Sequence, residues 1–283
     1  MDTIQEAHTT PSGAGAQSLE AKYRELKEIL SRLESVVVAF SGGVDSTLLL
    51  RVAVDVLGPE RVLAVTADSE TYPSRELADA KALAASMGAA HRVVETSELS
   101  IPGYAANDRN RCYFCRHNLF EYLLPVQKEG GYRNVVYGLI ADDMGDFRPG
   151  IRAAIEKGVR GPLQEASLSK EEVRTLSKQL GLSTWNKPAL ACLSSRVAFG
   201  ERITREKLSM IDSAEEYLKS FGISQVRVRT HGDIARIEVD PEDIARIVAE
   251  RSKISQKLRS LGYKYVTLDL GGYKSGSMNE GLE

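Results

Sequence analysis

The chain has 283 residues, 42% of them hydrophobic and 27% charged, with a formal net charge of −2. That length accommodates one large α/β domain and a smaller second one, and the near-neutral balance argues against a dedicated surface for RNA or DNA. No apolar run approaches the roughly 20 residues that span a bilayer, and three cysteines that cannot all pair suit a reducing cytoplasm. Residues 1–18 are polar, lack the apolar core of a signal peptide and read as a disordered lead-in. Leu19, Tyr23, Leu26, Leu30 and Leu33 then keep helical spacing. Residues 36–40, 61–67, 91–95 and 134–138 read as strands, and residues 74–87 as a helix closed by Gly88. Strands alternating with helices predict a parallel sheet with crossovers, which binds ligands at the carboxyl ends of its strands. A helix over 170–180 is opened by Ser169 with Glu172 three residues on, a capping-box spacing. From Thr204 the pattern changes to helix, two strands, a helix over 241–261 and a last strand near 265–270. This predicts a larger domain over 19–200, a smaller α+β domain over 201–275 and a loose tail over 276–283.

The most informative segment is Ser41-Gly42-Gly43-Val44-Asp45-Ser46-Thr47, which follows the first strand and opens a helix through Leu48, Leu49 and Leu50. Its glycines allow close backbone approach, and the helix N-terminus turns free N–H groups outward. Such a turn is an anion site, to which the hydroxyls of Ser41, Ser46 and Thr47 add donors. Asp45 would repel an anion unless a cation intervenes, so it reads as a magnesium contact. The loop has no lysine and not the spacing of a kinase-type phosphate loop, nor that of a dinucleotide fold. The hexapeptide Ser41–Ser46 resembles that of the PP-loop ATP pyrophosphatases, which implies an adenine nucleotide α-hydrolase-like parallel sheet, ATP as ligand and cleavage between its α and β phosphates. Asp142, Asp143 and Asp146, after the fourth strand, are candidates for magnesium or ribose contact.

Cys112 and Cys115 form a Cys-x-x-Cys pair, and Cys192 lies far along the chain. Alone, the pair is a weak signal, and the alternative is two buried apolar cysteines. Structural zinc needs four protein ligands, and the four histidines show no matching spacing. Three thiolates on an iron–sulfur cubane leave one iron open, so three cysteines without a fourth favour a chemically active cluster.

The stretch Asn186-Lys187-Pro188-Ala189-Leu190-Ala191-Cys192-Leu193-Ser194-Ser195-Arg196 resembles the ATP-dependent sacrificial sulfur transferases of nickel-pincer nucleotide biosynthesis. So do Val226-Arg227-Val228-Arg229, residues 233–238 and residues 261–272, and the likeness runs from about 19 to 279. The resemblance implies adenylation of the carboxylates of pyridinium-3,5-biscarboxylic acid mononucleotide, then displacement of AMP by sulfur. The thiocarboxylate product would serve a nickel cofactor for lactate racemase and related enzymes. Sulfur is obtained in the family either from one cysteine that ends as dehydroalanine or from a four-iron four-sulfur cluster on three cysteines. The sacrificial position falls near Ala191, so Cys112, Cys115 and Cys192 fit the cluster type. Ser195, Arg196, Glu215, Arg227 and Arg229 are the implied contacts to the acceptor's phosphate and carboxylates, and arginine forks suit such oxygens. A sulfide donor, handover to a nickel-inserting enzyme and a homo-oligomer, a hexamer by resemblance, are also implied, with no nucleic acid or membrane partner. The rivals are a tRNA thiolation enzyme, which should carry a basic module, and an ammonia-using ATP pyrophosphatase, which would not need the cysteines.

Overall fold

The structure, a computed structural model, describes residues 17–145, 149–188 and 191–274. Most of the expected lead-in, the expected tail and Asp146 lie outside the described residues. Helix α1 (Leu19–Leu33) starts where Ser18 accepts a hydrogen bond from the Ala21 amide, and it buries Leu26, Ile29, Leu30 and Leu33. It is followed by β1 (Val36–Ala39), α2 (Val44–Leu57), β2 (Val62–Asp68), α3 (Ser74–Ser86), β3 (Ala90–Glu95), α4 (Arg111–Glu129) and β4 (Asn134–Tyr137).

The four strands form one parallel sheet in the order β3-β2-β1-β4. Val36 and Val38 pack with residues of α1 and α2, whereas Val37 packs on the other face with Phe120 and Leu123 of α4. Helices cover both faces, which is why β1 is an unbroken apolar run rather than an alternating one. From β1 the chain builds β2 and β3 on one flank, then crosses back through α4 to place β4 on the other. That reversal creates a crevice at the carboxyl end of β1, the place where open sheets of this kind bind ligands.

Helix α4 is not evident from the sequence pattern. Its first turns carry Arg111, Cys112, Cys115 and Arg116, and Pro125 lies inside it, so the 19-residue helix shows little apolar periodicity. Beyond β4 come α5 (Pro149–Glu156), α6 (Pro162–Glu165) and α7 (Lys170–Gln179). The capping box of α7 is closed: Glu172 N donates to Ser169 Oγ at 3.3 Å and Ser169 N donates to Glu172 Oε2 at 2.9 Å.

Helix α8 (Arg205–Lys219) is capped by Thr204. It precedes β5 (Val226–His231), β6 (Ile234–Val239), α9 (Ile244–Ala249), α10 (Arg251–Ser260) and β7 (Tyr265–Leu268). Strands β5 and β6 pair antiparallel, and β7 joins β6 in parallel. The single helix expected over 241–261 is broken at Glu250. Ile247, Ile254 and Leu258 all reach the same core across the break, so their spacing reads as one helix. A separate apolar cluster of Tyr104, Leu193, Val197, Ile203, Leu208 and Ile211, with Phe114 and Cys115 against it, joins the two halves. Among the described residues no helix is long and apolar enough to cross a membrane.

Candidate active site

The Ser41–Thr47 segment occupies the crevice at the end of β1. Gly43 is the N-cap of α2 and has no side chain to satisfy the first amides, which leaves them for a ligand. Gly42 has φ +64°, and a Cβ there would sit 3.3 Å from Ala80 Cβ, so glycine is required on both counts. Ser46 Oγ accepts from Ser41 N at 3.3 Å and donates to Gly43 O at 3.2 Å, holding the loop curled. Tyr72 braces it from outside, its hydroxyl donating to Ser41 O at 2.7 Å. Thr47 is fully buried and its hydroxyl has no hydrogen-bond partner inside the protein. On the β4 side, a Cβ on Gly138 would lie 3.0 Å from Ser46 N and 3.1 Å from Asp45 Cβ. Gly138→Ala is therefore expected to push β4 off the loop and cost about 1–3 kcal/mol of stability, checked by urea unfolding.

Two lysines flank this loop, and neither is near it in sequence. Lys170, at the start of α7, places Nζ 2.8 Å from both Asp45 carboxylate oxygens. Lys187 reaches Gly42 O at 3.3 Å and Glu76 at 2.6 Å. The cation that an acid in an anion cradle demands is thus supplied here by a side chain. Asp142 accepts from Lys170 N at 2.9 Å, and Asp143 accepts from Ile140 N at 3.2 Å, so both acids brace local backbone beside the loop.

The three cysteines are all free thiols. Cys112 and Cys115 lie in the first turns of α4, the former exposed and the latter packed into the cluster that holds Leu193. Burial pushes the Cys115 thiol well up, and Glu98 and Cys192 add to this. The fold therefore brings Cys192 into electrostatic reach of Cys115. Arg111 lies beside Cys112 and Cys192; burial alone would lower its guanidinium pKa, but these sulfurs and Tyr104 raise it. Three thiols in one neighbourhood fit an iron–sulfur cluster in donor chemistry. Among the described residues, however, no three His, Cys, Asp or Glu side chains are already arranged to hold a metal ion.

The Cys192 loop rests on the second sheet. Arg196 is 2% exposed and pairs through Nε and Nη2 with both oxygens of Glu215, at 2.9 and 3.0 Å. Burial would raise the Glu215 carboxyl pKa, but the charge and hydrogen bonds of Arg196, with Arg227 and the Val228 amide, together hold it below the ordinary value. Arg229 pairs with the fully buried Glu238 and donates to Ser195 O at 3.1 Å. Arg227 stacks over Tyr273, 5.4 Å from the ring centroid, and donates to Val226 O. Its pKa is lowered first by burial and then by Arg196. The expected arginine face of β5 is thus a buried one, with Arg227 and Arg229 7% and 5% exposed.

Aligned end to end, the chain is 40% identical over 265 residues to pyridinium-3,5-bisthiocarboxylic acid mononucleotide synthase of Lactiplantibacillus plantarum, covering 94% of this chain and 96% of that one. The chain belongs to this synthase family. It is accordingly a sulfur-transferring enzyme of the PP-loop ATP pyrophosphatase superfamily. An uncharacterized protein of Synechocystis sp. is 47% identical over 266 residues, covering 93% of this chain and 99% of that one. The NAD synthase family matches residues 17–112 alone. The ammonia-dependent NAD(+) synthetase of Methanoregula boonei is 31% identical over 100 residues, 31% of this chain and 40% of that one. The NAD synthase likeness therefore lies in the N-terminal third that carries the phosphate loop, and the synthase-family likeness spans the Cys192 loop and second sheet as well.

Sequence reasoning missed Lys170, Tyr72, Arg111 and Tyr104. Lys170 had one available signal, its place in the first turn of a helix opened by a capping box. Arg111 adjoins Cys112 in sequence, but only the fold reveals that it also holds Ser194 O, at 2.9 Å.

Proposed function

We propose that this enzyme uses ATP to adenylate the carboxylates of pyridinium-3,5-biscarboxylic acid mononucleotide, releasing pyrophosphate, and converts them to thiocarboxylates for nickel-pincer nucleotide synthesis. The observation that carries the reading is the end-to-end identity with the synthase from L. plantarum. The chemistry is consistent with it. A free carboxylate is a poor electrophile, and an acyl-adenylate offers AMP as leaving group. The curled loop and the open first turn of α2 receive the phosphates. Asp45 would hold magnesium, which neutralises phosphate charge when bound. Lys170, displaced from that carboxylate, is then available to a phosphate oxygen. Lys170→Ala is expected to raise the KM for ATP about tenfold or more, with initial-rate kinetics as the check.

The acceptor's anions are assigned to the region of Arg227. Arg196, Arg227, Arg229 and Arg236 gather around the buried carboxylates of Glu215 and Glu238. A bound phosphate or carboxylate would relieve that concentration of positive charge. Arg227→Ala is expected to raise the KM for the mononucleotide about 30-fold or more, measured by pyrophosphate release.

Sulfur delivery is assigned to Cys112, Cys115 and Cys192. These residues would hold a four-iron four-sulfur cluster, which supplies a transferable sulfide when bound. An external sulfide donor and a downstream nickel-inserting enzyme complete the sequence. Anaerobic purification followed by iron analysis and a visible spectrum tests this assignment. Iron with broad visible absorbance, lost in Cys115→Ser, is the expected result. A colourless, iron-free protein in which one cysteine loses the mass of hydrogen sulfide contradicts it and supports the sacrificial route.

A further inference from the structure

The loop carrying Cys192 is held almost entirely by its backbone carbonyls. Arg196 Nη1 donates to Ala191 O at 2.7 Å and to Cys192 O at 3.0 Å, and it also reaches Ser195 Oγ at 3.0 Å. Ser195 Oγ itself donates to Cys192 O at 2.8 Å. Arg111 holds Ser194 O, Arg229 holds Ser195 O, and Leu193 N donates to Thr71 O at 2.8 Å. The Tyr104 hydroxyl adds a bond to Ser194 Oγ at 2.8 Å. Three guanidinium groups are thus spent on the carbonyls of one short turn.

Glu215 is what makes this grip rigid. Its two oxygens occupy Nε and Nη2 of Arg196, and Oε1 also accepts from Val228 N of β5 at 3.0 Å. Every nitrogen of Arg196 therefore has a partner inside the protein, and the pair is 2% and 3% exposed. An acceptor anion would have to displace Glu215 to reach this guanidinium. Breaking a buried pair by removing one partner leaves a charge without compensation.

We propose that Arg196 and Glu215 are positioning residues that fix the Cys192 backbone against the second sheet, not a subsite for the acceptor's anions. The inference rests on the sulfur-transfer reading above. Through these residues α8 and β5 set where the Cys192 sulfur stands relative to the phosphate loop, which lies across the Thr71 contact. Loss of the grip loosens delivery of sulfur without altering recognition of the mononucleotide.

The test is Glu215→Gln in the full-length enzyme. Thiocarboxylate formation and KM for the mononucleotide are measured, together with iodoacetamide labelling of each cysteine by peptide mass spectrometry. The expected result is a kcat for thiocarboxylate formation lowered about 10–100-fold, as for other supporting partners of reactive groups. The KM stays within about twofold. Labelling of Cys192 in the metal-free protein rises about tenfold relative to Cys112 on α4, because a held backbone limits access. Arg196→Lys keeps the charge but cannot hold Glu215 and the carbonyls together, so it should show the same split and carries the test if Glu215→Gln does not fold. A KM raised about tenfold with Cys192 labelling unchanged would make the pair a ligand subsite and overturn the proposal. Unchanged kcat and labelling would overturn it equally. A wild-type enzyme that releases no pyrophosphate with the mononucleotide contradicts the functional reading instead.

Discussion

Asp45→Asn is expected to lower pyrophosphate release about 10²–10³-fold, the scale of losing one preorganised electrostatic contact to a reacting phosphate. The same variant should unfold near the wild-type midpoint. Asp45 and Lys170 are about a quarter and a third exposed, and a pair so placed contributes only about 0–1 kcal/mol. The structure makes this separation sharp. The amide oxygen of the introduced side chain could still accept a hydrogen bond from Lys170, so the loop would stay curled around Ser46. What disappears is the negative charge by which Asp45 is proposed to hold magnesium. Parallel assays of pyrophosphate release and thermal unfolding check both halves. A stable Asp45→Asn enzyme with undiminished release would remove Asp45 from the metal role and leave it as the anchor of Lys170.

Replacing Cys192 with serine is expected to cost about 10³-fold or more in thiocarboxylate formation, because a hydroxyl is a poor ligand for cluster iron and donates no sulfur. Cys112→Ser and Cys115→Ser should fall in the same range if three thiols act as a unit, since members of such units are strongly non-additive. The acyl-adenylate is expected to accumulate in all three, because activation is proposed for the Ser41–Ser46 loop and Lys170 rather than for the thiols. Quenched-flow analysis for adenylate and thiocarboxylate distinguishes this from a general loss of activity. If Cys112→Ser and Cys115→Ser keep wild-type rates while Cys192→Ser is dead, a single-cysteine route replaces the three-thiol assignment.

The parts of the fold that are legible from sequence are those whose signals are local. The apolar spacing of Leu19 to Leu33 gives the first helix at its observed bounds, and Ser169 with Glu172 forms the expected capping box. The β-branched run at Val36 marks the central strand, and the glycines after it mark the phosphate loop. Helix α4 escapes because its N-terminal turns carry chemistry instead of an apolar stripe. In the site, Asp45 reads as needing a cation, but the ammonium that meets it comes from Lys170, 125 residues away. No spacing rule encodes that pairing, which follows from packing α7 beside the end of β1. Arg196 and Glu215 are likewise visible as charges, yet their mutual burial depends on α8 lying against β5. A sequence records which ions exist, and the tertiary fold decides which are spent on each other.

The central claim, that one loop activates a carboxylate so that sulfur can replace oxygen, is tested most directly by product mass. Anaerobically prepared enzyme is incubated with ATP, magnesium, sulfide and pyridinium-3,5-biscarboxylic acid mononucleotide, with tRNA as a parallel acceptor. The account predicts pyrophosphate release that depends on the mononucleotide, and a product whose mass shows sulfur in place of a carboxylate oxygen. Sulfur recovered in tRNA with the mononucleotide unchanged, or no pyrophosphate released with the mononucleotide, would contradict it.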